Sequence, residues 1–163
     1  MSDIFLLIRI TISIFFAAIA ALDDLKRFKI SNRIIVPFFV TAAVITFVQA
    51  VMGMKVSDYI FGMTVSFVFM FVLYCFKGIG AADVKIAAVH GLLMGLCGIK
   101  VILVSAFMAG TAVGLIEIIF KKCVVRHVAG IPFKVHAIHF GAAILFGVVI
   151  FVFKVLIEGG ICI

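Results

Sequence analysis

Residues 4–32 read IFLLIRITISIFFAAIAALDDLKRFKISN, a long apolar run that ends in two adjacent aspartates and a basic loop. The run Ile4–Leu22 contains one cation, Arg9. At about 1.5 Å per residue it is long enough to cross a hydrocarbon layer about 30 Å thick. A segment inside a bilayer must satisfy its own backbone hydrogen bonds, so we expect a helix. The stretch therefore predicts a membrane-spanning helix that ends in carboxylates at the membrane boundary.

The composition extends this prediction to the whole chain. Its 163 residues are 67% hydrophobic and 13% charged, whereas a soluble domain is about 45–50% apolar. Five further apolar runs follow the first: Ile34–Met52, Tyr59–Phe76, Val84–Leu96, Val101–Phe120 and Val135–Leu156. We expect an all-α, polytopic membrane protein of about six transmembrane helices. Residues 1–163 then form a single transmembrane domain, with no length left for a soluble one.

The basic residues predict the orientation of these helices. The net charge is +7, but the cations lie in short loops between apolar runs, which disfavours a nucleic-acid partner. One set of loops and helix ends holds Lys26, Arg27, Lys29, Arg33, Lys77, Lys85, Lys121, Lys122, Arg126 and Lys134, and the opposite set holds Arg9, Lys55, Lys100 and Lys154. Ten cations against four place the first set in the cytoplasm and both termini outside the inner (plasma) membrane. We expect some of these cations to contact anionic headgroups.

This orientation brings two aspartates, Asp24 and Asp83, to the same cytoplasmic face. The chain has only seven acidic residues, and carboxylates beside hydrocarbon are costly, so these two positions suggest function. Asp83 near a helix start is favoured by the helix dipole, whereas Asp24 at a helix end opposes it. If the two meet, they share one proton: the ionised carboxylate can activate water and the protonated one can polarise a carbonyl. The residues alone leave Asp23 open as an alternative to Asp24.

The two motifs around these aspartates resemble those of the type IV prepilin peptidases, the GxGD class of membrane aspartyl proteases. The first, D-x5-I-x-N, matches at Asp24, Ile30 and Asn32, and the resemblance selects Asp24 over Asp23. The second, G-x-G-x-G-D-x-K, matches at Gly78, Gly80, Asp83 and Lys85. The sequence departs from the family pattern in two places: Ser31 replaces a proline and Ala82 replaces the third glycine. The resemblance implies Asp24 and Asp83 as the catalytic pair, with the other matched residues in support.

The resemblance also implies a substrate and a subtype. The substrates are prepilins, which carry a short basic leader before a hydrophobic helix and are cut on the cytoplasmic side. The chain resembles the short, peptidase-only form of Flp/Tad-type pilus systems, without a cysteine-rich zinc domain or a methyltransferase domain. We expect no metal and no cofactor; the oligomeric state is not predicted. The alternatives are a non-enzymatic pilus-assembly subunit, whose active site has decayed at Ala82, and a proton or ion carrier that uses the same carboxylates.

The remaining cysteines and histidines have structural interpretations. Cys75, Cys97, Cys123 and Cys162 are widely spaced without a CxxC pair, so we interpret all four as structural. His136 and His139 share a helix face but lack further ligands, which favours an interfacial pair over a metal site. His90 lies about two turns beyond Asp83, and we predict that it is buried and hydrogen-bonded.

Overall fold

The structure, a computed structural model, describes residues 2–27, 30–119, 124–128, 131–135 and 140–158. The elements in chain order are α1 (Ser2–Arg27), α2 (Asn32–Val51), α3 (Ser57–Cys75), α4 (Ala81–Ile119), β1 (Val124–Val128), β2 (Ile131–Val135) and α5 (Phe140–Glu158). Within the described ranges, five helices are long and apolar enough to cross a membrane. The predicted all-α, polytopic class is confirmed. The antiparallel hairpin of β1 and β2 is an addition that the sequence analysis did not predict.

Large apolar side chains cover the outside of the helices. Phe47 on α2 is 70% exposed and Leu156 on α5 is 73% exposed, and most of α2 and α3 has the same character. Such a surface is unfavourable in water but matches the hydrocarbon of a bilayer. The protein is therefore an integral membrane protein.

The first half of α4 forms the centre of the bundle. Ile86, Val89 and Leu93 are almost completely buried, and α4 contacts each of the other helices. It lies especially close to α3, because Gly91 faces Gly62: a Cβ on Gly91 would overlap the backbone of Gly62. Small residues at such a crossing allow two helix backbones to approach in a membrane.

Gly95 interrupts α4 with non-helical dihedral angles, φ 70° and ψ −177°. A continuous helix of 39 residues would be about 58 Å long, well beyond one bilayer crossing. The sequence predicted separate helices Val84–Leu96 and Val101–Phe120 joined by a short loop. The structure replaces that loop with this single residue, because glycine adopts a positive φ without strain.

The contacts of α4 indicate that its two halves run in opposite directions. Its first residues lie at the C-terminal end of α1, whereas the Leu92 carbonyl accepts a hydrogen bond from Arg9, nearer the start of α1. The first half is therefore antiparallel to α1. Since α5 begins beside the end of α1 and packs along it, α5 is also antiparallel to α1.

The second half of α4 runs antiparallel to α5. Gly98 lies against Phe151, and Phe107, further along α4, packs its ring 5.6 Å from that of Phe140 at the start of α5. The chain thus turns back at Gly95, so that α4 contributes two antiparallel segments.

The region before α5 differs from the prediction of a helix over Val135–Leu156. Val135 belongs to β2, where it pairs with Val124, and α5 begins only at Phe140. The segment is rich in valine, isoleucine and phenylalanine, which suit a strand pair outside the hydrocarbon. Lys29, Lys121, Lys122, Cys123, His136, His139 and Cys162 lie outside the described residues.

Candidate active site

Asp24 lies in the last turn of α1 and is 8% exposed. Its Oδ2 atom accepts a hydrogen bond of 2.9 Å from the backbone N–H of Gly141, in the first turn of α5. A Cβ on Gly141 would lie 3.0 Å from the Asp24 Cβ and 3.1 Å from its Oδ2. A small residue at position 141 therefore lets the start of α5 meet the Asp24 carboxylate.

Asp83 lies in the first turn of α4. Its Oδ2 accepts a 3.0 Å hydrogen bond from the Gly80 N–H, while its own N–H donates to the Gly80 carbonyl at 3.1 Å. This reciprocal arrangement satisfies otherwise unpaired groups at the helix start, where a negative charge is also favourable. A Cβ on Gly80 would lie 3.1 Å from the carboxylate oxygen, so glycine allows this close approach.

The structure brings Asp24 and Asp83 to the same end of the bundle. The two carboxylates lie within electrostatic reach of each other, although the residues are far apart in sequence. Three helix ends meet at this point: the C-terminus of α1 and the N-termini of α4 and α5. One carboxylate comes from a helix that disfavours a negative charge and the other from a helix that favours it.

Asp23 has a different role from its neighbour. Its Oδ2 accepts a 2.9 Å hydrogen bond from the Ser31 N–H, across the loop between α1 and α2. Ser31 in turn caps α2, because its hydroxyl accepts from the Arg33 N–H at 3.3 Å. Asp23 thus orders the entry to α2, whereas Asp24 contacts α5. This contact distinguishes two adjacent carboxylates that the residues alone left equivalent.

A hydrogen bond connects the two sequence motifs. The Lys85 ammonium donates to the Asn32 Oδ1 atom at 3.0 Å and so joins the start of α4 to the start of α2. Ile30, the second matched position of the first motif, is 4% exposed and belongs to the apolar core. The three residues hold the loop after α1 against α4, beside Asp83.

Gly78 and Ala82 both occupy positions that tolerate a methyl group. Gly78 donates its N–H to the Leu73 carbonyl at 3.0 Å and closes the end of α3, while Lys77 takes the left-handed φ of 58°. A Cβ on Gly78 would lie 3.4 Å from the Leu73 oxygen, an ordinary contact. Ala82 is helical, and Lys77 is the only non-glycine residue with a positive φ within the described residues. The alanine in place of the family's third glycine therefore causes no backbone strain.

The model of the type IV leader peptidase family matches residues 11–115. The chain belongs to this family. Family membership makes the protein a peptidase, a hydrolase, and implies a prepilin substrate in general. A comparison with curated proteins and another with solved structures found no match. The matched range contains both aspartates and both motifs of this leader peptidase family member, but it ends before the hairpin and α5.

Sequence reasoning therefore missed the contribution of α5. The Gly141 N–H contacts Asp24 from a part of the chain that carries neither motif. The only signal was a glycine at the start of an apolar run, which is too common to indicate a site. His90, in contrast, was predicted correctly: it is fully buried, and its Nδ1 lies 2.9 Å from the Ile86 carbonyl.

No group of three or more potential metal ligands occurs in the part of the chain that the structure describes. Cys75 is exposed and has a free thiol.

Proposed function

We propose that the protein is an aspartyl endopeptidase that removes the short basic leader of type IV, Flp-like prepilins. Asp24 and Asp83 form its catalytic pair. The observation that carries this proposal is that both carboxylates lie at one end of the bundle, Asp24 in the last turn of α1 and Asp83 in the first turn of α4, within electrostatic reach of each other. The family motif residues Asn32 and Lys85 form a hydrogen bond beside them, which supports the same assignment.

The proposed mechanism uses one proton shared by the two carboxyl groups. The ionised carboxylate takes a proton from a water molecule, whose oxygen attacks the carbonyl carbon of the scissile peptide bond. The protonated carboxyl group donates its proton to the carbonyl oxygen as the tetrahedral intermediate forms. Collapse of the intermediate breaks the C–N bond: the leaving amine takes up a proton from one carboxyl group, and one hydroxyl proton of the intermediate passes to the other, which restores the shared proton. No covalent bond forms between enzyme and substrate.

The backbone N–H groups of Gly141 and Gly80 have a positioning role in this mechanism. Each donates to the Oδ2 atom of one aspartate, which fixes the orientation of both carboxylates. Catalytic groups act efficiently only when they are held within a narrow range of geometry. Substitution of either glycine would therefore reduce the rate without removing a catalytic group.

The membrane orientation is also part of the proposal. The excess of cations in the loops at the aspartate end favours a cytoplasmic location for the pair in the inner membrane. Cleavage then occurs at the boundary between the cytosol and the membrane, just before the hydrophobic helix of the prepilin. Exposed cations at this end, such as Lys26, can contact anionic headgroups.

Co-expression with a candidate prepilin tests the catalytic pair on a gel. We expect wild type to remove the leader, and Asp24→Asn and Asp83→Asn to leave it in place, with losses of at least about 100-fold. Asp23→Asn is the matched control: it changes the neighbouring carboxylate, keeps an oxygen that can accept from Ser31, and should retain cleavage. Full activity of either catalytic-pair variant would contradict the mechanism.

The pH dependence of cleavage tests the shared proton. Activity should follow a bell-shaped curve, because the pair loses its ionised member in acid and its proton in alkali. Activity that stays constant between about pH 5 and pH 9 would argue against a carboxylate pair.

A further inference from the structure

A groove of about 590 Å³ runs between α2 and α3, with α4 as its floor. The α2 side presents Asn32, Ile35, Val36 and Phe39, which share one helix face over about two turns. Met63 and Phe67 line the α3 side. The two walls are held apart because α2 packs mainly on α4 and α1, and α3 packs mainly on α4.

The polarity of the groove changes along its length. One end is formed by Asn32 and Lys85, whose side chains are hydrogen-bonded to each other, and the rest is almost entirely apolar. Lys85 follows Asp83 by two residues on α4, so the polar end of the groove lies at the same end of α4 as Asp83. The apolar part continues from there along α2 into the membrane-spanning region.

We propose that this groove binds the first two turns of the apolar helix of the substrate. The inference rests on the proposed function, in which the peptide bond just before that helix is cut. An apolar helix that enters sideways from the bilayer can place one face between Phe39 and Phe67. The polar chain preceding the helix then reaches Asn32 and Lys85, which can bond its peptide carbonyls beside the catalytic pair.

The shape of the groove fits a helix of this kind. Its length along α2, from Asn32 to Phe39, is about 10 Å, or two helical turns. The lining of the groove is polar at the aspartate end and apolar beyond it. The substrate has the same sequence of polarity, a polar peptide followed by an apolar helix. A lipid acyl chain is the alternative occupant, and the first experiment distinguishes it from a peptide.

Photo-crosslinking locates the occupant. In the Asp24→Asn variant, which leaves the prepilin uncut, p-benzoylphenylalanine replaces Phe39 or Phe67 in the groove. Phe47 and Phe69, on the same two helices and outside the groove, are the matched controls. We expect prepilin adducts at the groove positions only, mapped to the first two turns of the substrate helix. Adducts with lipid alone, or equal prepilin adducts at all four positions, would overturn the inference.

A substitution that fills the groove tests its use in cleavage. Thr64→Phe adds a ring from an exposed position on the groove wall, and Val65→Phe adds the same ring from the exposed neighbour outside the groove. Both changes avoid the buried core, so both variants should fold. We expect Thr64→Phe to raise KM for the full prepilin by about tenfold or more, with Val65→Phe close to wild type.

A short soluble peptide separates the groove from the catalytic pair. It contains the leader and the scissile bond but lacks the apolar helix, and Thr64→Phe should cut it as wild type does. If wild type cuts neither substrate, the proposed function fails. If wild type cuts both and Thr64→Phe still cuts the full prepilin at the wild-type KM, only the groove assignment fails.

Discussion

At the end of the bundle nearer the start of α1, the side chain of Arg9 connects four helices. At the opposite end, the carboxylates of Asp24 and Asp83 carry like charges within electrostatic reach of each other. Arg9 is completely buried, and its donors reach the Leu92 carbonyl at 2.8 Å, the Thr46 hydroxyl at 2.9 Å and the Gln49 side-chain oxygen. Its guanidinium also lies 3.7 Å from the centre of the Tyr59 ring. Asp24 and Asp83 each accept a backbone N–H, from Gly141 and Gly80, but each also lies within the electrostatic reach of the other carboxylate.

The break at Gly95 shows how the Arg9 end satisfies its helix termini. Arg9 donates to carbonyls in the last turn of the first half of α4, where a cation is favourable. Asp58 accepts from the Leu96 N–H at 3.2 Å, at the start of the second half, where an anion is favourable. Asp24, in contrast, places a negative charge at the C-terminus of its own helix, where it is unfavourable, although the N-terminus of α5 donates the Gly141 N–H to it. We infer that the Arg9 end is arranged for stability and the aspartate end for chemistry.

The largest effect on stability should come from removing the buried cation. Arg9→Met leaves several buried oxygen acceptors without a donor, each of which costs about 1–3 kcal/mol, so the loss should be about 3 kcal/mol or more. Thermal or denaturant unfolding in detergent measures the change. Lys100→Met is the control, because this cation is exposed, and its effect should stay within about 0.5 kcal/mol. Equal free energies of unfolding for the two variants would show that the buried Arg9 stabilises the protein no more than an exposed cation does.

The next largest effect on stability is expected at Gly95, where α4 turns back on itself. Gly95 and Gly53 both have a positive φ, 70° and 73°, so alanine at either position costs about 1–2 kcal/mol or more in backbone strain, and the cost is larger at Gly95, whose ψ of −177° is accessible almost only to glycine. A Cβ on Gly95 would also collide with the Asp58 carboxylate, whereas a Cβ on Gly53 meets nothing within 4 Å. Gly95→Ala should therefore be the more destabilising by about 1 kcal/mol or more in unfolding experiments. Equal losses would mean that the Asp58 cap contributes little.

At the aspartate end of the bundle, removal of a charge should raise the free energy of unfolding instead of lowering it. Asp24→Asn keeps an oxygen that can accept from Gly141 but removes a charge that opposes the α1 dipole and repels Asp83. We expect the free energy of unfolding to rise by about 0.5–1 kcal/mol at neutral pH, while cleavage is lost. Asp23→Asn has nearly the same position on α1 and should show a smaller gain. A clear destabilisation by Asp24→Asn would show that this end is also arranged for stability.

The smallest effect is expected at the departure from the family motif. Because Ala82 is helical, Ala82→Gly should lower stability by about 1 kcal/mol or less. Cleavage of the prepilin should be kept or raised, since the change restores the family residue. A clear loss of cleavage in a variant that remains folded would show that the methyl group of Ala82 contributes to the site.

The sequence predicted the membrane class and the positions of Asp24 and Asp83 because these depend on local properties. The length of each apolar run and the placement of polar residues are visible without knowing which helices touch. The motif match at Asn32 and Lys85 likewise indicated two loops with a common role, and their side chains meet in a hydrogen bond. The hairpin and the late start of α5 were missed, because a valine such as Val135 suits a strand as well as the start of a membrane helix.

The chain by itself thus determined that the protein crosses a membrane as helices, since a bilayer leaves the backbone few other ways to form its hydrogen bonds. It also determined where carboxylates interrupt the hydrocarbon. Only the tertiary structure decided that Asp23 accepts from Ser31, that Gly141 of α5 donates to Asp24, and that Gly95 turns α4 back on itself. These outcomes depend on contacts between residues far apart in sequence, and local patterns of polarity carry no information about which distant surfaces will pack together.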